Sequence, residues 1–492
     1  MGSLTCAEMR QLEERAFKQG VTAEALMEKA GRGIAHAILR RFPQPGTVLA
    51  CIGTGNNGGD ALVAARYLAD AGWQVGVRYS HKGSELGVLP RKKLRELGDC
   101  PVNAALPDFD PDRPLVLLDG LLGIGANGPL RSPLAELAAW MNCTRASHPA
   151  QTIAMDIPSG VHGDSGEVYD GAVVADLTLT VGVPKRGLLA SAAVNHTGAM
   201  ERVALDELPV PDNGSPCLGD IHSVHGLLPR RAHDTHKGNA GRVGILAGSR
   251  GMLGAAVLCA TGALRGGAGL VTVFVDHVLY PALASMLPPE AMLRPVSTLA
   301  EIDPSAFDAM ALGPGLGQEQ GEDFLALIKR IKVPLVIDAD GLNRIAKAGP
   351  GGYIGENSVL TPHPGELARL HPGSKGKDRL DVAREFVDQY PGATLLLKGA
   401  RTIIARAGLP IYVNGSGNAG MASGGQGDML TGVIASLLAQ GVRTHDAARY
   451  SAWLCGRAAE LAISHGMASE PSLLAGDIGC WLGRAYRESG VC

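Results

Sequence analysis

The sequence predicts an α/β protein with two consecutive domains, each containing a doubly wound sheet. At 492 residues the chain is too long for one ordinary domain, since domains average roughly 150 residues. Its apolar content of 46% is enough for full cores, and 67 glycines with only 4% aromatic residues suit tight strand-to-helix turns. In both halves short apolar runs alternate with helical patterns, which favours parallel sheets flanked by helices.

The first half opens with apolar residues at helical spacing from Ala7 to Arg41, which predicts two helices before the first strand. The run Thr47–Ile52 is the first predicted strand, and a helical pattern follows over residues 61–71. Further strands are predicted at Gln74–Tyr79, Leu115–Leu118, Thr152–Met155 and Leu177–Val181. This alternation predicts a parallel, doubly wound sheet.

Unusual polar residues of the first half follow its predicted strands. They are Asn56, Asn57 and Asp60 after the first strand, Asp119 and the loop 123–129 after the third, and Asp156 and Ser159 after the fourth. Ligands of open α/β sheets bind beyond the carboxyl ends of the strands, so these residues should converge on one crevice. Taken singly, each could equally be a turn former or a helix cap.

Oxygen atoms dominate this predicted crevice. The side chains of Asn57, Asp119 and Ser159, together with backbone carbonyls, would form an all-oxygen site for a hard cation. Loops rich in glycine beside them could hold a phosphate-rich ligand. Two asparagines interrupt the glycine pattern, so it is not the G-x-G-x-x-G dinucleotide fingerprint.

A linker and a second α/β half complete the chain. Residues 208–216 are rich in proline and glycine and predict the linker, so we expect domains at 1–212 and 222–492. The strands predicted in the second half are Val243–Ala247, Leu270–Val275, Met310–Leu312, Leu335–Ile337, Val359–Leu360 and Thr394–Leu397. Several end in marked loops, where Lys398 could meet phosphate and His363 lies between two prolines. A solvated lysine and a surface histidine remain the alternatives.

The most informative stretch of the second half is Ser423-Gly-Gly-Gln-Gly-Asp428, which leads into an apolar run that Gly441 can end. Glycines let the backbone approach a bound group, and the free N–H groups of a helix N-terminus suit phosphate. Asp428 stands beside this cradle, an arrangement that invites phosphoryl transfer. Short glycine motifs have a high false-positive rate, so a simple turn remains an equal alternative.

Composition excludes several other classes of protein. The net charge of -3 offers no basic surface for nucleic acid, and no apolar run is long enough to span a membrane. Nine cysteines are scattered without a C-x-x-C pair, which is typical of reduced thiols rather than of a disulfide or zinc framework. We therefore expect a cytoplasmic protein.

Four motifs of the first half resemble the NAD(P)H-hydrate epimerase family. They are Gly55-Asn-Asn-Gly-Gly-Asp60, Asp119-Gly-Leu-Leu-Gly-Ile-Gly125, Asp156-Ile-Pro-Ser-Gly160 and Lys185-Arg-Gly-Leu188. The resemblance implies a Rossmann-like domain that interconverts the R and S hydrates, with K⁺ bound by Asn57, Asp119 and Ser159. Asp156 is the candidate acid/base residue. The implied substrate-binding residues are Asn56, Asn57, Gly58, Gly59, Asp60, Gly123, Ile124, Gly125, Ala126, Asn127, Gly128 and Pro129.

Motifs of the second half resemble the ribokinase-like fold and, within it, the nucleotide-dependent NAD(P)H-hydrate dehydratase family. They include His236-Lys-Gly-Asn-Ala-Gly241, Asp338-Ala-Asp-Gly-Leu-Asn343, His363-Pro-Gly-Glu366 and Gly424-Gly-Gln-Gly-Asp428. The resemblance implies that Ala255, Gly315, His363 and Asp428 face the hydrated dinucleotide. Lys398, Gly399, Ala400, Arg401, Thr402 and Gly427 would hold the nucleotide donor. Gln426 departs from the Thr or Ser usual at its position, so a hydroxyl contact there is in doubt.

Together the two resemblances imply one repair task. NADHX and NADPHX are the expected substrates, ADP or possibly ATP the phosphoryl donor, and Mg²⁺ its metal; Asp428 would be catalytic. We also expect a homo-oligomer. Two alternatives stay open: the second half could be a vitamin or sugar kinase, and the first half a non-catalytic binding module of the kind found in RNA-decapping scaffolds.

Overall fold

The computed structural model describes residues 2–101, 109–110, 112–125, 127–228, 230–317 and 321–490. The chain divides into two units, Met1–Leu218 and Gly219–Cys492. The eight described cysteines are all free thiols, as their scattered spacing predicts. Within the described residues, none of the helices has the length and apolar content needed to cross a membrane.

The first unit is a parallel six-stranded sheet flanked by helices. Its helices are α1 (Cys6–Lys18), α2 (Ala23–Arg41), α3 (Asn56–Asp70), α4 (Val88–Leu97), α5 (Leu134–Ser147) and α6 (Val194–Thr197). Its strands are β1 (Thr47–Ile52), β2 (Gln74–Tyr79), β3 (Leu115–Gly120), β4 (Ala150–Met155), β5 (Leu177–Val181) and β6 (Ala199–Val203). The strand order is β2-β1-β3-β4-β5-β6, and every pairing is parallel. The predicted doubly wound sheet is confirmed.

Helix α3 begins earlier than its apolar pattern indicates. The sequence places the helix at residues 61–71 with a loop before it, but the first helical residue is Asn56, after the N-cap Gly55. The first turns are closely packed: a Cβ on Gly58 would lie 2.2 Å from the carbonyl oxygen of Gly53, and one on Gly59 would lie 2.5 Å from Met27 Cε. These glycines are therefore helical residues that allow close packing, not a flexible loop.

The second unit contains a mixed ten-stranded sheet. Its helices are α7 (Ile221–Val224), α8 (Leu253–Arg265), α9 (Tyr280–Ala284), α10 (Gly321–Arg330), α11 (Ala339–Ala348), α12 (Pro364–Leu370), α13 (Arg379–Gln389), α14 (Gln426–Ala439), α15 (Thr444–Ser464) and α16 (Ala475–Glu488). Its strands are β7 (Cys217–Gly219), β8 (Arg242–Leu246), β9 (Leu270–Asp276), β10 (Met292–Val296), β11 (Ala309–Leu312), β12 (Leu335–Ile337), β13 (Ser358–Leu360), β14 (Thr394–Leu397), β15 (Ile403–Ala405) and β16 (Tyr412–Asn414). The order is β10-β9-β8-β11-β12-β13-β14-β15-β16-β7.

The second sheet changes direction along its width. In the order of the sheet, all neighbouring strands from β10 through β9 and β8 to β14 are parallel. Strand β14 then pairs antiparallel with β15, and β15 pairs antiparallel with β16. The sequence predicts the strands of the parallel part other than β10, with ends that differ by no more than two residues. It misses β6, β7, β10, β15 and β16, which are short or lie at sheet edges.

Helix α14 is the central helix of the second unit. Most of its residues are buried, and it packs closely on α8 because each helix has a glycine at their contact. A Cβ on Gly432 would lie 2.0 Å from the carbonyl oxygen of Cys259, and one on Gly262 would lie 2.2 Å from that of Met429. The helix ends as predicted, with Gly441 in the left-handed region at φ 85°. This packing holds the first turn of α14 in one position at the sheet edge.

Candidate active sites

The first candidate site lies at the switch point of the first sheet. Strand β1 has β2 on one side and β3 on the other, and Cys51 of β1 pairs in register with Asp119 of β3. On the next strand Ala154 of β4 pairs with Asp119. The carboxyl ends of β1, β3 and β4 are therefore adjacent, which is where open α/β sheets bind ligands.

Hydrogen bonds join the three residues predicted to bind K⁺. The Ser159 hydroxyl donates to Asp119 Oδ1 at 2.7 Å, and its backbone N–H donates to Asp119 Oδ2 at 2.8 Å. The Ser159 hydroxyl also accepts from the Leu122 N–H at 3.0 Å. Asn57 Nδ2 donates to the carbonyl oxygens of Leu122 at 2.8 Å and Met155 at 3.4 Å. The structure thus brings these residues from three different segments into one buried network.

The buried carboxyl of Asp119 suits a monovalent cation. Desolvation raises its pKa to about 6, although hydrogen bonds from Ser159 and Leu121 oppose this rise. Among the described residues no basic side chain forms an ion pair with it. The Asn57 amide nitrogen is used as a donor, which leaves its oxygen as a further acceptor. An all-oxygen set with one negative charge fits a weakly charged hard cation.

Asp156 adopts a constrained backbone conformation after β4. Its φ is 65°, in the left-handed region that non-glycine residues rarely adopt, at a cost of roughly 1–3 kcal/mol. Asp156 Oδ1 accepts from the Val181 N–H at 3.0 Å and forms an ion pair with Lys185 Nζ. Lys185 also donates to the Val181 carbonyl oxygen at 2.9 Å and is almost fully buried. The Asp156 carboxylate is therefore held in one orientation.

Other carboxyls surround this ion pair. The pKa of Asp60 is raised well above its usual value by burial first and by the Asp156 charge second. Burial also raises the pKa of Glu13, on α1, and Asp156 adds to that rise while Lys185 opposes it. The site therefore combines carboxyls of different acidity around one lysine, an arrangement suited to proton transfer.

The predicted substrate loop 123–129 borders this network. The Ile124 carbonyl oxygen accepts from Arg10 Nη2 at 2.8 Å, and a Cβ on Gly123 would lie 3.5 Å from the Cβ of Asn57. Gly128 is left-handed, at φ 93°. Gly125, Asn127 and Pro129 are exposed, while Ala126 lies outside the described residues.

The second candidate site lies at the carboxyl edge of the second sheet. Leu312, Ile337 and Leu360 are in register on neighbouring parallel strands, so the loops that follow them emerge together. The Lys398 N–H donates to the Pro362 carbonyl oxygen at 2.9 Å, which adds the end of β14 to this edge.

A buried ion pair lies at the centre of this edge. Lys398 Nζ donates to Asp338 Oδ1 at 2.6 Å, and Thr431 Oγ1 of α14 donates to Asp338 Oδ2 at 3.0 Å. Glu366 Oε2 is 3.8 Å from the same Lys398 Nζ. The Asp338 side chain is 1% exposed. Asp338 thus connects the strand end that carries Lys398 to the helix that carries Asp428.

The first turn of α14 lies directly beside this ion pair. Its N-cap, Gly425, is left-handed at φ 87° and supplies no side-chain cap to the first-turn amides. A Cβ on Gly427 would lie 3.3 Å from both Asp338 Oδ2 and Lys398 Nζ, so a side chain here would crowd the ion pair. Asp428 occupies the same turn. Free amides and a lysine next to one carboxylate form a suitable phosphoryl site.

The Asp428 carboxyl has an altered acidity. Its pKa is raised to about 7, first by burial and then by the neighbouring Asp338 charge, while Lys398 opposes the rise. A carboxyl with a pKa near the working pH can accept a proton and release it again.

The other predicted residues of the second unit surround this site. Gly315 is left-handed at φ 59°, and a Cβ there would lie 2.8 Å from the Cβ of Ala255. His363 Nδ1 accepts from the Gly365 N–H at 3.0 Å, and its imidazole is about half exposed. Ala255, Gly315 and His363 therefore lie on loops or first helical turns that follow the parallel strands β8, β11 and β13.

The predicted donor segment follows β14. Gly399 and Ala400 are exposed, and the Thr402 hydroxyl donates to the Gly399 carbonyl oxygen at 3.1 Å. The Arg401 side chain is buried, and burial lowers its pKa to about 10 while Glu460 opposes the change. A donor molecule would therefore meet the backbone of Arg401 rather than its guanidinium.

Each half of the chain matches a known protein family. Residues 243–480 match the family model of NAD(P)H-hydrate dehydratase, and residues 23–187 match the model described as YjeF-related protein N-terminus. The chain is 36% identical over 492 residues to the bifunctional NAD(P)H-hydrate repair enzyme Nnr of Coxiella burnetii, with 96% of each chain covered. It belongs to the family of bifunctional NAD(P)H-hydrate repair enzymes. Both predicted resemblances are thereby confirmed.

Other known proteins are also similar to this chain. The enzyme of the same name from Escherichia coli K12 is 34% identical over 461 residues, covering 91% of this chain and 87% of its own. A structure of the Bacillus subtilis ADP/ATP-dependent NAD(P)H-hydrate dehydratase, co-crystallised with ATP and Mg²⁺, is 28% identical and covers 56% of this chain and 98% of its own, at a TM-score of 0.47. The match over residues 243–480 disfavours the vitamin or sugar kinase alternative.

Sequence reasoning assigned no role to three residues that the structure places at these sites. Lys185 and Asp338 each lie inside a motif that was noted only for its family resemblance, and Glu13 lies in a helix with no distinguishing pattern. A lysine or aspartate within such a motif predicts that its charged side chain has a polar partner in the fold. The identity of its partner, far along the chain, follows only from the fold.

We expect Asp428→Asn to stabilise the protein at pH 8. Folding raises the pKa of Asp428 to about 7 from a usual value near 3.8, so the folded state binds more protons and the carboxylate destabilises it as pH rises. Asparagine removes that charge, and a gain on the order of 2 kcal/mol is expected in urea unfolding at pH 8. The gain should disappear as pH falls towards 4. A gain that does not depend on pH would contradict this explanation.

Proposed function

We propose that this chain carries the two activities of its family on separate units. The first unit interconverts the R and S hydrates of NADH and NADPH. The second unit dehydrates the S hydrate to NADH or NADPH with ADP as phosphoryl donor, giving AMP and phosphate. The observation that supports this most strongly is Asp428 in the first turn of α14, beside the ion pair of Lys398 and Asp338.

The proposed dehydration overcomes a poor leaving group. Hydroxide leaves slowly at neutral pH, whereas phosphate leaves readily. Asp428 accepts the proton of the substrate hydroxyl. At the same time the hydroxyl oxygen forms a bond to the terminal phosphorus of ADP, and the bond between that phosphorus and AMP breaks. The C–O bond then breaks, phosphate leaves with the bonding electrons, and loss of a proton from the adjacent ring carbon restores the double bond.

Residues at the second edge have complementary roles in this reaction. The amides of the Gly424–Gly427 stretch and Lys398 would stabilise charge on the transferring phosphoryl group. Gly427, together with the residues from Lys398 to Thr402, would hold the donor. Ala255, Gly315 and His363 would contact the hydrated dinucleotide. These assignments are supported by the convergence of the loops on one edge.

Mg²⁺ fits the same edge. When bound, it would neutralise the donor phosphates, and Glu366, buried and 3.8 Å from Lys398 Nζ, would orient its waters. The relative from Bacillus subtilis was crystallised with ATP and Mg²⁺, so ATP is the alternative donor.

In the first unit, Asp156 would transfer the proton during epimerisation. Its ion pair with Lys185 keeps it oriented, and burial raises the pKa of the neighbouring Asp60 well above its usual value. The segments 56–60 and 123–129 would bind the hydrated nucleotide. K⁺ would lie between Asn57, Asp119 and Ser159, where it offsets the buried charge of Asp119.

Two expectations about the whole protein stay predictions. A homo-oligomer would be detected by light scattering at several protein concentrations. A cytoplasmic location would be detected by fractionation of the cells that produce the protein.

The dehydratase should depend on Asp428. Asp428→Asn removes the proton acceptor, and a loss in kcat on the order of 10³-fold is expected in an assay of NADH absorbance with the S hydrate, Mg²⁺ and ADP. Epimerisation of the R hydrate should not change. Asp323→Asn, at an exposed acidic residue in the first turn of α10, is the matched control and should keep full activity. An active Asp428→Asn enzyme would refute the assignment.

The epimerase should depend on Asp156 in the same way. Asp156→Asn should slow the approach of the purified R hydrate to the R/S equilibrium by about 10²-fold or more, beyond the spontaneous rate, and leave the dehydratase intact. The exposed Asp170 provides the control variant Asp170→Asn. If Asp156→Asn retained the wild-type rate, the acid/base residue would have to be sought among Asp60 and Glu13.

K⁺ should accelerate epimerisation. We expect a faster rate in potassium chloride than in tetramethylammonium chloride at equal ionic strength, because the four methyl groups of the larger ion would keep its charge away from the oxygens of Asn57, Asp119 and Ser159. Ser159→Ala should remove most of this difference, whereas Ser191→Ala, at an exposed position, should not. Equal rates of the wild-type enzyme in the two salts would exclude a potassium role.

A further inference from the structure

The second unit contains a cleft that none of the proposed chemistry uses. Its volume is about 680 Å³, within the range of small-molecule sites of about 300–1,000 Å³. Pro334 and Asn357, which line it, directly precede β12 and β13. The cleft therefore lies at the amino edge of the parallel strands, opposite the edge that carries Asp338 and Lys398.

The cleft is basic. Among the described residues that line it are three arginines, Arg406, Arg443 and Arg449, and one carboxylate, Asp446, which leaves an excess of two positive charges. Asp446 is shared: its Oδ2 is 2.8 Å from Arg443 Nη2, and its Oδ1 is 3.2 Å from Arg449 Nε. One carboxylate thus balances only one of three guanidinium groups.

Arg406 has neutral partners. Its Nη1 donates to the hydroxyls of Thr444 at 2.9 Å and Thr394 at 3.3 Å, and its Nη2 donates to the Glu356 carbonyl oxygen at 3.2 Å. No carboxylate of the described residues forms an ion pair with it. A partly buried guanidinium fixed by neutral acceptors keeps its charge available for an anion.

The positive charge of the cleft also affects the pKa of the neighbouring His445. His445 is buried beside these arginines, and its pKa is lowered to about 4, first by burial and then by Arg449. Its Nε2 lies 3.1 Å from the Pro410 carbonyl oxygen. The imidazole is therefore neutral at physiological pH and adds no charge.

The rest of the wall is apolar and aromatic. Leu409, Leu438 and Val442 line the cleft, and the Arg449 guanidinium lies 4.5 Å from the centroid of the Tyr412 ring. Such a wall would bury an organic group, while the arginines would bind a doubly charged anion.

We propose that this cleft is a binding site for a small organic phosphate monoester, separate from both catalytic sites. The phosphate would bind Arg406 and Arg443, and the organic group would pack against Tyr412 and Leu438. Helix α14 connects this site to the dehydratase: Leu438 lies ten residues after Asp428, about 15 Å along the helix.

Phenyl phosphate is the probe that tests the proposal, because it has the required charge and a flat ring but no adenosine. Isothermal titration of the full-length protein, saturated with ADP to fill the nucleotide site, should show one binding event in the second unit. Inorganic phosphate and benzoate should each bind at least about tenfold more weakly, since the first lacks the ring and the second carries only one charge.

Variants identify the site. Arg443→Gln, at a highly exposed side chain, should weaken phenyl phosphate binding about tenfold or more, and Arg406→Gln should do the same. Arg384→Gln, at an exposed arginine of α13, is the matched control and should bind as the wild type does. The dehydratase rate without phenyl phosphate should be the same in Arg443→Gln and the wild type.

Any of three results would overturn the proposal. One is the absence of phenyl phosphate binding up to millimolar concentration. Another is binding that Arg443→Gln and Arg406→Gln leave unchanged, because the ligand would then lie elsewhere. Equal affinity for inorganic phosphate would also reject it, since the apolar wall would have no role.

Discussion

The second unit depends on the ion pair between Asp338 and Lys398. These residues follow β12 and β14, which are separated in the sheet by β13, so the pair closes the carboxyl edge across a strand. Thr431 adds a hydrogen bond from α14 to the same carboxylate. A buried charge pair is stabilising only when its remaining polar atoms are satisfied, and here lysine, hydroxyl and carboxylate satisfy one another. The geometry of this edge, which carries the candidate active site, follows from that requirement.

Burial is the main cause of the raised pKa of Asp428, and the same ion pair modifies it. A buried carboxylate close by raises its pKa, and a lysine close by lowers it, so the value near 7 reflects burial and both neighbours together. Glycine at position 427 keeps this arrangement open, because a side chain there would fill the space next to Lys398. The tight contact of Gly432 with α8 prevents the helix from shifting away. Close packing distant from the chemistry therefore sets the distances within it.

The first unit also has a buried ion pair between a lysine and an aspartate at its candidate site. Lys185 and Asp156 form this ion pair, and burial raises the pKa of the nearby carboxyls of Asp60 and Glu13, to which the Asp156 charge adds. The left-handed backbone at Asp156 is an energetic cost that the hydrogen bond from the Val181 N–H helps to offset. In both units carboxyls of raised pKa lie beside a lysine ion pair at the carboxyl edge of a parallel sheet.

The sequence by itself determined the two α/β units, the parallel strands of each sheet other than β6 and β10, and the loops that carry the chemistry. Apolar periodicity and glycine placement are local patterns, so they can be recognised in the sequence without knowledge of the fold. It missed β10, which is an exposed edge strand containing Pro295, and β15 and β16, which are three residues long. Both follow β14 without an intervening helix, so the strand–helix alternation that located β12 and β13, which are equally short, does not extend to them. It also placed the start of α3 too late, because helical glycines resemble a loop.

Only the tertiary structure decided which side chains meet. Lys185 reaches Asp156 and Lys398 reaches Asp338 because strand ends distant in the chain lie together in the sheet. Desolvation likewise belongs to the folded state, so the raised pKa values of Asp60, Asp119 and Asp428 follow only from it. The basic cleft around Arg406 joins segments that no motif connects. Side-chain partners, burial and charge balance depend on the assembled fold, whereas the order of helices and strands can be predicted from local sequence patterns.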